Sequence, residues 1–285
     1  MIDTMDSPDT VTTHRAEPRF ERRTVDGQEL RIAVWAGSSA DKPPLLLFNG
    51  IGSRIELVAP FVEHLDPERE IIALDVPGTG ESPATQFPYR LWMIARMVGR
   101  LLDQLKIERV DTLGVSWGGT LAQQFALQNP RRCRRLVLAA TATGGLLVPG
   151  DLKVLAKMAT PRRFKDPNFM RENMGALYGG LARTDPDLLA DFARLSRSPS
   201  RRGYLYQQMA LAGWVSAPLL PLLRQPTLVL AGSDDPLVPL VNARILARLI
   251  PHSTLTVLDD GHLFLFTKAR ESAESVDRFL DSSEH

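Results

Sequence analysis

Six short apolar runs alternate along this chain with stretches of helical periodicity, and that alternation limits the folds open to it more than any other feature. The runs are Leu45-Leu46-Leu47-Phe48, Ile71-Ile72-Ala73-Leu74, Leu113-Gly114-Val115, Leu136-Val137-Leu138, Leu228-Val229-Leu230 and Leu255-Thr256-Val257-Leu258. They are mostly non-alternating and end at Gly, Pro, Asp or other polar residues, which is how strands buried on both faces of a parallel sheet read. Between them, Leu91, Ile94, Ala95, Val98, Leu101, Leu102 and Leu105 keep the i, i+3, i+4, i+7 spacing of an amphipathic helix, with Arg96, Arg100, Asp103 and Gln104 opposite. Residues 119–129, 241–250 and about 267–280 read as further helices. Strand–helix alternation implies right-handed crossovers and a mainly parallel, doubly wound α/β sheet.

The alternation stops between residues 146 and 222, where helix-like patches and prolines occur without a buried strand. Between 151 and 220 there are 11 basic residues against six acidic, so this stretch also differs from the rest in charge. It is expected to be a helical cap or lid inserted into a core made of 21–145 and 223–285. The polar, proline-bearing stretch through residue 20 is expected to be a poorly ordered tail. A length of 285 residues suits one large α/β domain of this kind. The formal charge of +1, from 34 Lys+Arg and 33 Asp+Glu, gives no global electrostatic case for nucleic acid or an anionic membrane as partner. One cysteine, Cys133, leaves no internal disulfide and no multi-cysteine metal site. The first twenty residues lack a basic start followed by an apolar stretch, and no run of about 18 apolar residues occurs, so neither a secretory signal nor a transmembrane segment is expected. The expected location is the cytoplasm.

Gly114-Val115-Ser116-Trp117-Gly118-Gly119 follows an apolar run and precedes a helical pattern. A G-x-S-x-G sequence at a strand-to-helix turn is a nucleophile elbow, so tight that the residues two before and two after the serine must be small. It lifts the Ser116 hydroxyl above the sheet and puts the Trp117 N–H at a helix N-terminus, where it favours a developing oxyanion.

A serine hydroxyl needs a base, and the base needs an orienting carboxylate; where the serine sits on an elbow of this kind in a doubly wound sheet, the two follow it in the chain order Asp or Glu, then His. Of five histidines, His14 and His285 lie near the termini, His64 in a helical stretch before Asp66-Pro67, and His252 in a turn after Pro251. His262 alone follows the last strand, in the loop Asp259-Asp260-Gly261-His262, and is the expected base. The acid comes from Gly232-Ser233-Asp234-Asp235-Pro236-Leu237-Val238-Pro239. Asp235, directly before the proline turn, is favoured over its neighbour Asp234. A second oxyanion donor is expected from Phe48-Asn49-Gly50-Ile51-Gly52, with the Ile51 N–H as candidate. No phosphate loop and no metal-binding constellation appears, so neither cofactor nor metal is expected.

With elbow, acid and histidine in this order, the chain resembles the α/β-hydrolase superfamily over roughly residues 25–280. More narrowly, Leu47–Gly52, Gly114–Gly119, Leu136–Thr143, Val148-Pro149-Gly150 and Asp259–Leu265 are similar to the intracellular depolymerases of medium-chain-length poly(3-hydroxyalkanoates). The resemblance implies the α/β-hydrolase fold with an inserted helical cap, a triad of Ser116, Asp235 and His262, and Trp117 as the tryptophan of the serine box. It implies ester hydrolysis through an acyl-enzyme. The expected partner is a polyester or small ester, met in the polymer case at a granule surface by apolar lobe residues such as Leu146, Met158, Phe164, Tyr178, Tyr204 and Trp214. Alternatives that keep the same three residues are a carboxylesterase or lipase, or a cofactor-free peroxidase or carbon–carbon hydrolase. A binding protein reusing the fold is a further class. Oligomeric state is not legible.

Overall fold

The computed structural model describes residues 15–145, 148–160, 166–185, 192, 195 and 200–282. The tail through residue 14, His14, Leu146, Phe164 and His285 lie outside the described residues.

The strands are β1 (Arg19–Val25), β2 (Gln28–Trp35), β3 (Leu45–Phe48), β4 (Ile71–Leu74), β5 (Val110–Val115), β6 (Cys133–Ala139), β7 (Thr227–Gly232) and β8 (Ser253–Leu258). They form one sheet in the order β1-β2-β4-β3-β5-β6-β7-β8. β2 runs antiparallel to β1 and β4, and every other pair is parallel. The six apolar runs are all strands, and to them are added β1 and β2, which contain none of these runs. They form a hairpin on the turn Asp26-Gly27, both at positive φ as a tight two-residue turn requires. Arg19 and Phe20, expected within a poorly ordered tail, instead pair with Val34 and Ala33 in this hairpin.

Helices α1 (Ala59–Val62), α2 (Leu91–Gln104), α3 (Trp117–Gln128), α4 (Leu152–Ala159), α5 (Pro167–Tyr178), α6 (Arg201–Leu211), α7 (Leu240–Leu249), α8 (Phe264–Thr267) and α9 (Ala269–Leu280) complete the described elements with short 3-10 turns. His64 sits in a turn just past α1 rather than in a helix. Successive strand residues face opposite layers. Leu46, Phe48, Leu136 and Leu138 pack with α2, α3 and α7, while Leu45, Leu47, Leu113 and Val137 pack with α1, α8 and α9. Each fully buried leucine or phenylalanine contributes about 1.5–3 kcal/mol, so both faces must stay covered and the runs cannot alternate.

Between β6 and β7 the chain leaves the sheet through an antiparallel bridge, Gly144 to Val215. The helices beyond it are capped from within their own sequence, Asp151 accepting from the Lys153 N–H, Asp166 from Asn168 and Phe169, and Ser200 from Gly203. Val154, Met174, Leu177, Tyr178 and Phe192 form a separate apolar cluster that closes on Leu237. Among the described residues no helix is long and apolar enough to cross a membrane.

The strand order fixes where chemistry can happen. After β3 the chain goes one way to β4 and returns on the other side to β5, so β3 and β5 are neighbours whose following loops diverge. Such a switch point opens a crevice beyond the carboxyl ends of the strands.

Candidate active site

Ser116 stands in that crevice, between β5 and α3. Its backbone has φ 53° and ψ −117°, a conformation non-glycine residues seldom adopt and which costs on the order of 1–3 kcal/mol. The surroundings impose it. The Ser116 N–H donates to Ala139 O at 2.8 Å, and Ser116 O accepts from the Gly119 N–H at 2.9 Å and the Thr141 hydroxyl at 2.7 Å. A Cβ on Gly114 would come within 2.3 Å of Gly118 O, and one on Gly118 within 2.2 Å of Phe48 O. The spacing of glycines around the serine is thus a direct packing requirement.

β7 and β8 are adjacent, and their following loops bring the other two residues over the elbow. His262 Nε2 lies 3.2 Å from Ser116 Oγ, and its Nδ1 lies 2.7 Å from Asp235 Oδ2. The second carboxylate oxygen of Asp235 accepts the N–H groups of Leu237 and Val238, each at 2.9 Å. Asp235 is 6% exposed and His262 9%, so this relay works largely out of water. With the imidazole proton on Nδ1, directed at Asp235, the Nε2 lone pair faces the serine hydroxyl. That arrangement can take a proton from Ser116 and return it to a departing group.

The neighbouring aspartates do other things. Asp234 is exposed and accepts both forks of Arg183, at 2.9 and 3.1 Å, with the Gly180 N–H at 2.8 Å. Hydrogen bonding from Arg183 holds its carboxyl below the usual value. Asp259 accepts the Ser233 hydroxyl at 3.1 Å. Asp260 is buried and accepts the N–H groups of Leu181 and Gly261 and the Thr267 hydroxyl, which ties the histidine loop to the turn after α5. The His262 N–H donates to Tyr178 O at 2.6 Å, and the Tyr178 ring stacks on the imidazole with centroids 6.2 Å apart.

The loop after β3 is shaped by Asn49, whose Oδ1 accepts the Gly50 N–H and whose Nδ2 donates to Arg54 O, both at 2.8 Å. No acceptor among the described residues takes the N–H of Ile51 or of Trp117, the residue that opens α3. Both are therefore free for a ligand oxygen. One contributor had no signal in the sequence. Gln207, fully buried in α6, accepts the Gly52 N–H on Oε1 at 2.8 Å, and its carbonyl accepts the Trp117 indole N–H at 2.9 Å. A mid-helix glutamine far along the chain gives no hint that it reaches both sides of the crevice.

Among the described residues, two cavities open at Ser116. One, about 80 Å³, is lined by Leu57, Met158, Tyr178, Phe192, His262 and Phe266 among others. The second, about 400 Å³, is lined by residues including Trp117, Thr120, Ala142, Gln208, Leu211 and Ala212. Of the lobe residues expected at a substrate, Met158 and Tyr178 line the first cavity. Tyr204 instead donates its hydroxyl to Met158 O, and the Trp214 indole to Gln124 Oε1. Among the described residues no group of three or more His, Cys, Asp or Glu could hold a metal ion.

The chain is 49% identical over 264 residues to a poly(3-hydroxyalkanoate) depolymerase of Ectopseudomonas oleovorans, the match covering 92% of each protein. It is 26% identical to 3-oxoadipate enol-lactonase 2 of Acinetobacter baylyi, over 84% of this chain and 89% of that one. A crystal structure of a hydrolase from Pseudomonas aeruginosa PA01 superimposes with a TM-score of 0.76 at 27% identity, covering 93% of this chain and 99% of that one. The sequence profile of the alpha/beta hydrolase fold family matches residues 43–269, and the chain belongs to that family.

Proposed function

We propose that this chain is a serine ester hydrolase whose substrate is a medium-chain poly(3-hydroxyalkanoate). The observation that carries the chemistry is the unbroken relay from Asp235 through His262 to Ser116, in a crevice with two unspent N–H donors. The choice of polyester rests on the 49% identity to a protein of that name.

Ser116 Oγ attacks the ester carbonyl while its proton moves to His262 Nε2. Asp235 holds the imidazole and stabilises the imidazolium as it forms. The oxyanion of the tetrahedral intermediate lies on the N–H groups of Ile51 and Trp117, where loss of one donor typically costs about 100- to 1000-fold in rate. The intermediate collapses, the alkoxide leaves with the proton from His262, and water activated by the same histidine releases the acyl group.

The segment 146–222 acts in this reading as a cap on the core of 21–145 and 223–285. It supplies Met158 and Tyr178 to the site and presents exposed Leu152, Leu205 and Leu219 toward a polymer granule in the cytoplasm. The test is incubation of the purified protein with amorphous medium-chain polyhydroxyalkanoate granules and, in parallel, with p-nitrophenyl octanoate and acetate. Clearing by the wild type and silence of Ser116→Ala on all three is the expected result. Ester cleavage without clearing reassigns the protein to small esters, and turnover by Ser116→Ala overturns the mechanism.

A further inference from the structure

Among the described residues the two cavities have two lining residues in common, Ser116 and Ile51. These are the proposed nucleophile and one of the proposed oxyanion donors, so the carbon under attack sits where the cavities meet. An ester has two substituents on that centre, and they leave it in different directions. What distinguishes the cavities chemically is His262, which lines the first and not the second. Expulsion of the alcohol requires His262 Nε2 to hand its proton to the ester oxygen, so that oxygen, and the chain attached to it, must lie on the histidine side. The acyl substituent has then to extend past Trp117.

On the reading proposed above, we infer that the crevice is a two-sided subsite pair. The cavity of Leu57, Met158, Phe192 and Phe266 takes the repeat unit that departs as a free hydroxyl. The cavity of Thr120, Ala142, Leu211 and Ala212 takes the repeat unit that stays on the serine. The bond balance follows this division. Acylation forms the Ser116 Oγ–carbonyl bond and breaks the carbonyl–oxygen bond of the chain. The serine proton passes through His262 to the departing oxygen, and the hydroxyl-ended unit vacates the histidine side. Water enters there, gives a proton to His262 and its oxygen to the carbonyl, and the proton returns to Ser116 as the acid leaves. The smallest substrate that uses the whole site is therefore a dimer of hydroxyalkanoate units. The histidine-side cavity is the smaller of the two, about 80 against 400 Å³.

The subsites are tested by filling each separately, with Met158→Trp on the histidine side and Ala212→Trp on the other. Two ester series separate their effects: ethyl esters of acids from acetate to decanoate, and octanoate esters of alcohols from methanol to octanol. Ala212→Trp is expected to lower kcat/KM for ethyl decanoate relative to ethyl acetate by about tenfold or more, the scale of a methylene misfit in an apolar pocket, without altering the alcohol series. Met158→Trp is expected to lower octyl relative to methyl octanoate by a similar factor without altering the acid series. The enlarging variants Leu211→Ala and Met158→Ala should shift the same two preferences toward longer chains, which keeps the test open if a tryptophan variant fails to fold. Reversed responses, both series moving together, or neither moving in variants that still turn over ethyl acetate overturns the assignment. Absence of ester turnover by the wild type removes the enzymatic reading itself, and the subsites with it.

Discussion

Asp234 and Asp235 are separated by one peptide bond, yet their carboxylates face opposite ways. Asp235 is buried, bonded to His262 on one oxygen and to two backbone N–H groups on the other, so it can neither rotate nor exchange partners. Asp234 faces solvent and pairs with Arg183. Under the proposed mechanism Asp235→Asn keeps the shape but presents an amide to Nδ1, which favours the wrong imidazole tautomer. Its kcat on p-nitrophenyl octanoate is expected to fall by about 10⁴-fold. Asp234→Asn removes an exposed ion pair worth about 1 kcal/mol or less and should leave kcat within about twofold. Equal losses in the two variants would remove Asp235 from the relay. Ser116 and His262 were legible because the glycine spacing and the loop after the last strand are local in sequence. The proline turn picked Asp235 on the same ground. What Asp234 and Asp260 do was not legible, because their partners Arg183, Gly180 and Leu181 come from a segment about 50 to 80 residues away in the chain.

Among the elements, β3 to β7 could be read as strands because burial on both faces leaves a continuous apolar signature, whereas β8, half-exposed at the sheet edge, was readable only from its short run Leu255–Leu258. β1 could not, since its sequence RFERRTV carries exposed charge on a hairpin at the sheet edge. The Asp26-Gly27 pair was the signal that would have found it. α6 could be expected only as one helix of an inserted segment, and nothing in its sequence points to the crevice. Its Gln207 nevertheless clamps the loop carrying Ile51 and the indole of Trp117 at once. Gln207→Leu leaves the buried Gly52 N–H without an acceptor, at about 1–3 kcal/mol, and loosens the Ile51 side of the oxyanion pocket. The expected result is a kcat reduced by about 10- to 100-fold, short of losing a donor outright, with KM within about twofold. Affinity for a trifluoromethyl ketone, which forms a tetrahedral adduct, should fall in parallel with kcat. A variant with lower stability but unchanged kcat and inhibitor affinity would reduce Gln207 to a packing residue.

For the molecule as a whole, the site gathers at the carboxyl ends of the strands, while the opposite end is held by buried charge. Arg69 and Asp111, both with fully buried side chains, pair at 3.0 Å where β5 begins, and Arg134 joins Asp111 at 2.7 Å. Close by, Asp277 on α9 accepts the Asp66 N–H at 2.8 Å with one carboxylate oxygen, and its other oxygen has no partner among the described residues. Burial, reinforced by the neighbouring Asp66 and Asp281 carboxylates, pushes its carboxyl from the ordinary 3.8 up to about 6. The folded protein therefore keeps a proton through the window from about pH 4 to about 6 in which the unfolded chain has released it. Where the folded state binds more protons, stability falls as pH rises, so this carboxyl erodes stability across that window and leaves its full penalty in place above about pH 6. Asp277→Asn retains an oxygen for the Asp66 N–H and cannot ionise. Its Tm should exceed that of the wild type at pH 7 to 8, and the difference should shrink as the pH is lowered toward 4, where Asp277 is protonated in the folded state. Because Asp277 lies at the end of the sheet away from Ser116, ester turnover at 25 °C should not change. Thermal melts of both proteins from pH 4 to 8 provide the measurement. A Tm difference that is independent of pH would show that Asp277 is ionised throughout and that its burial imposes no proton.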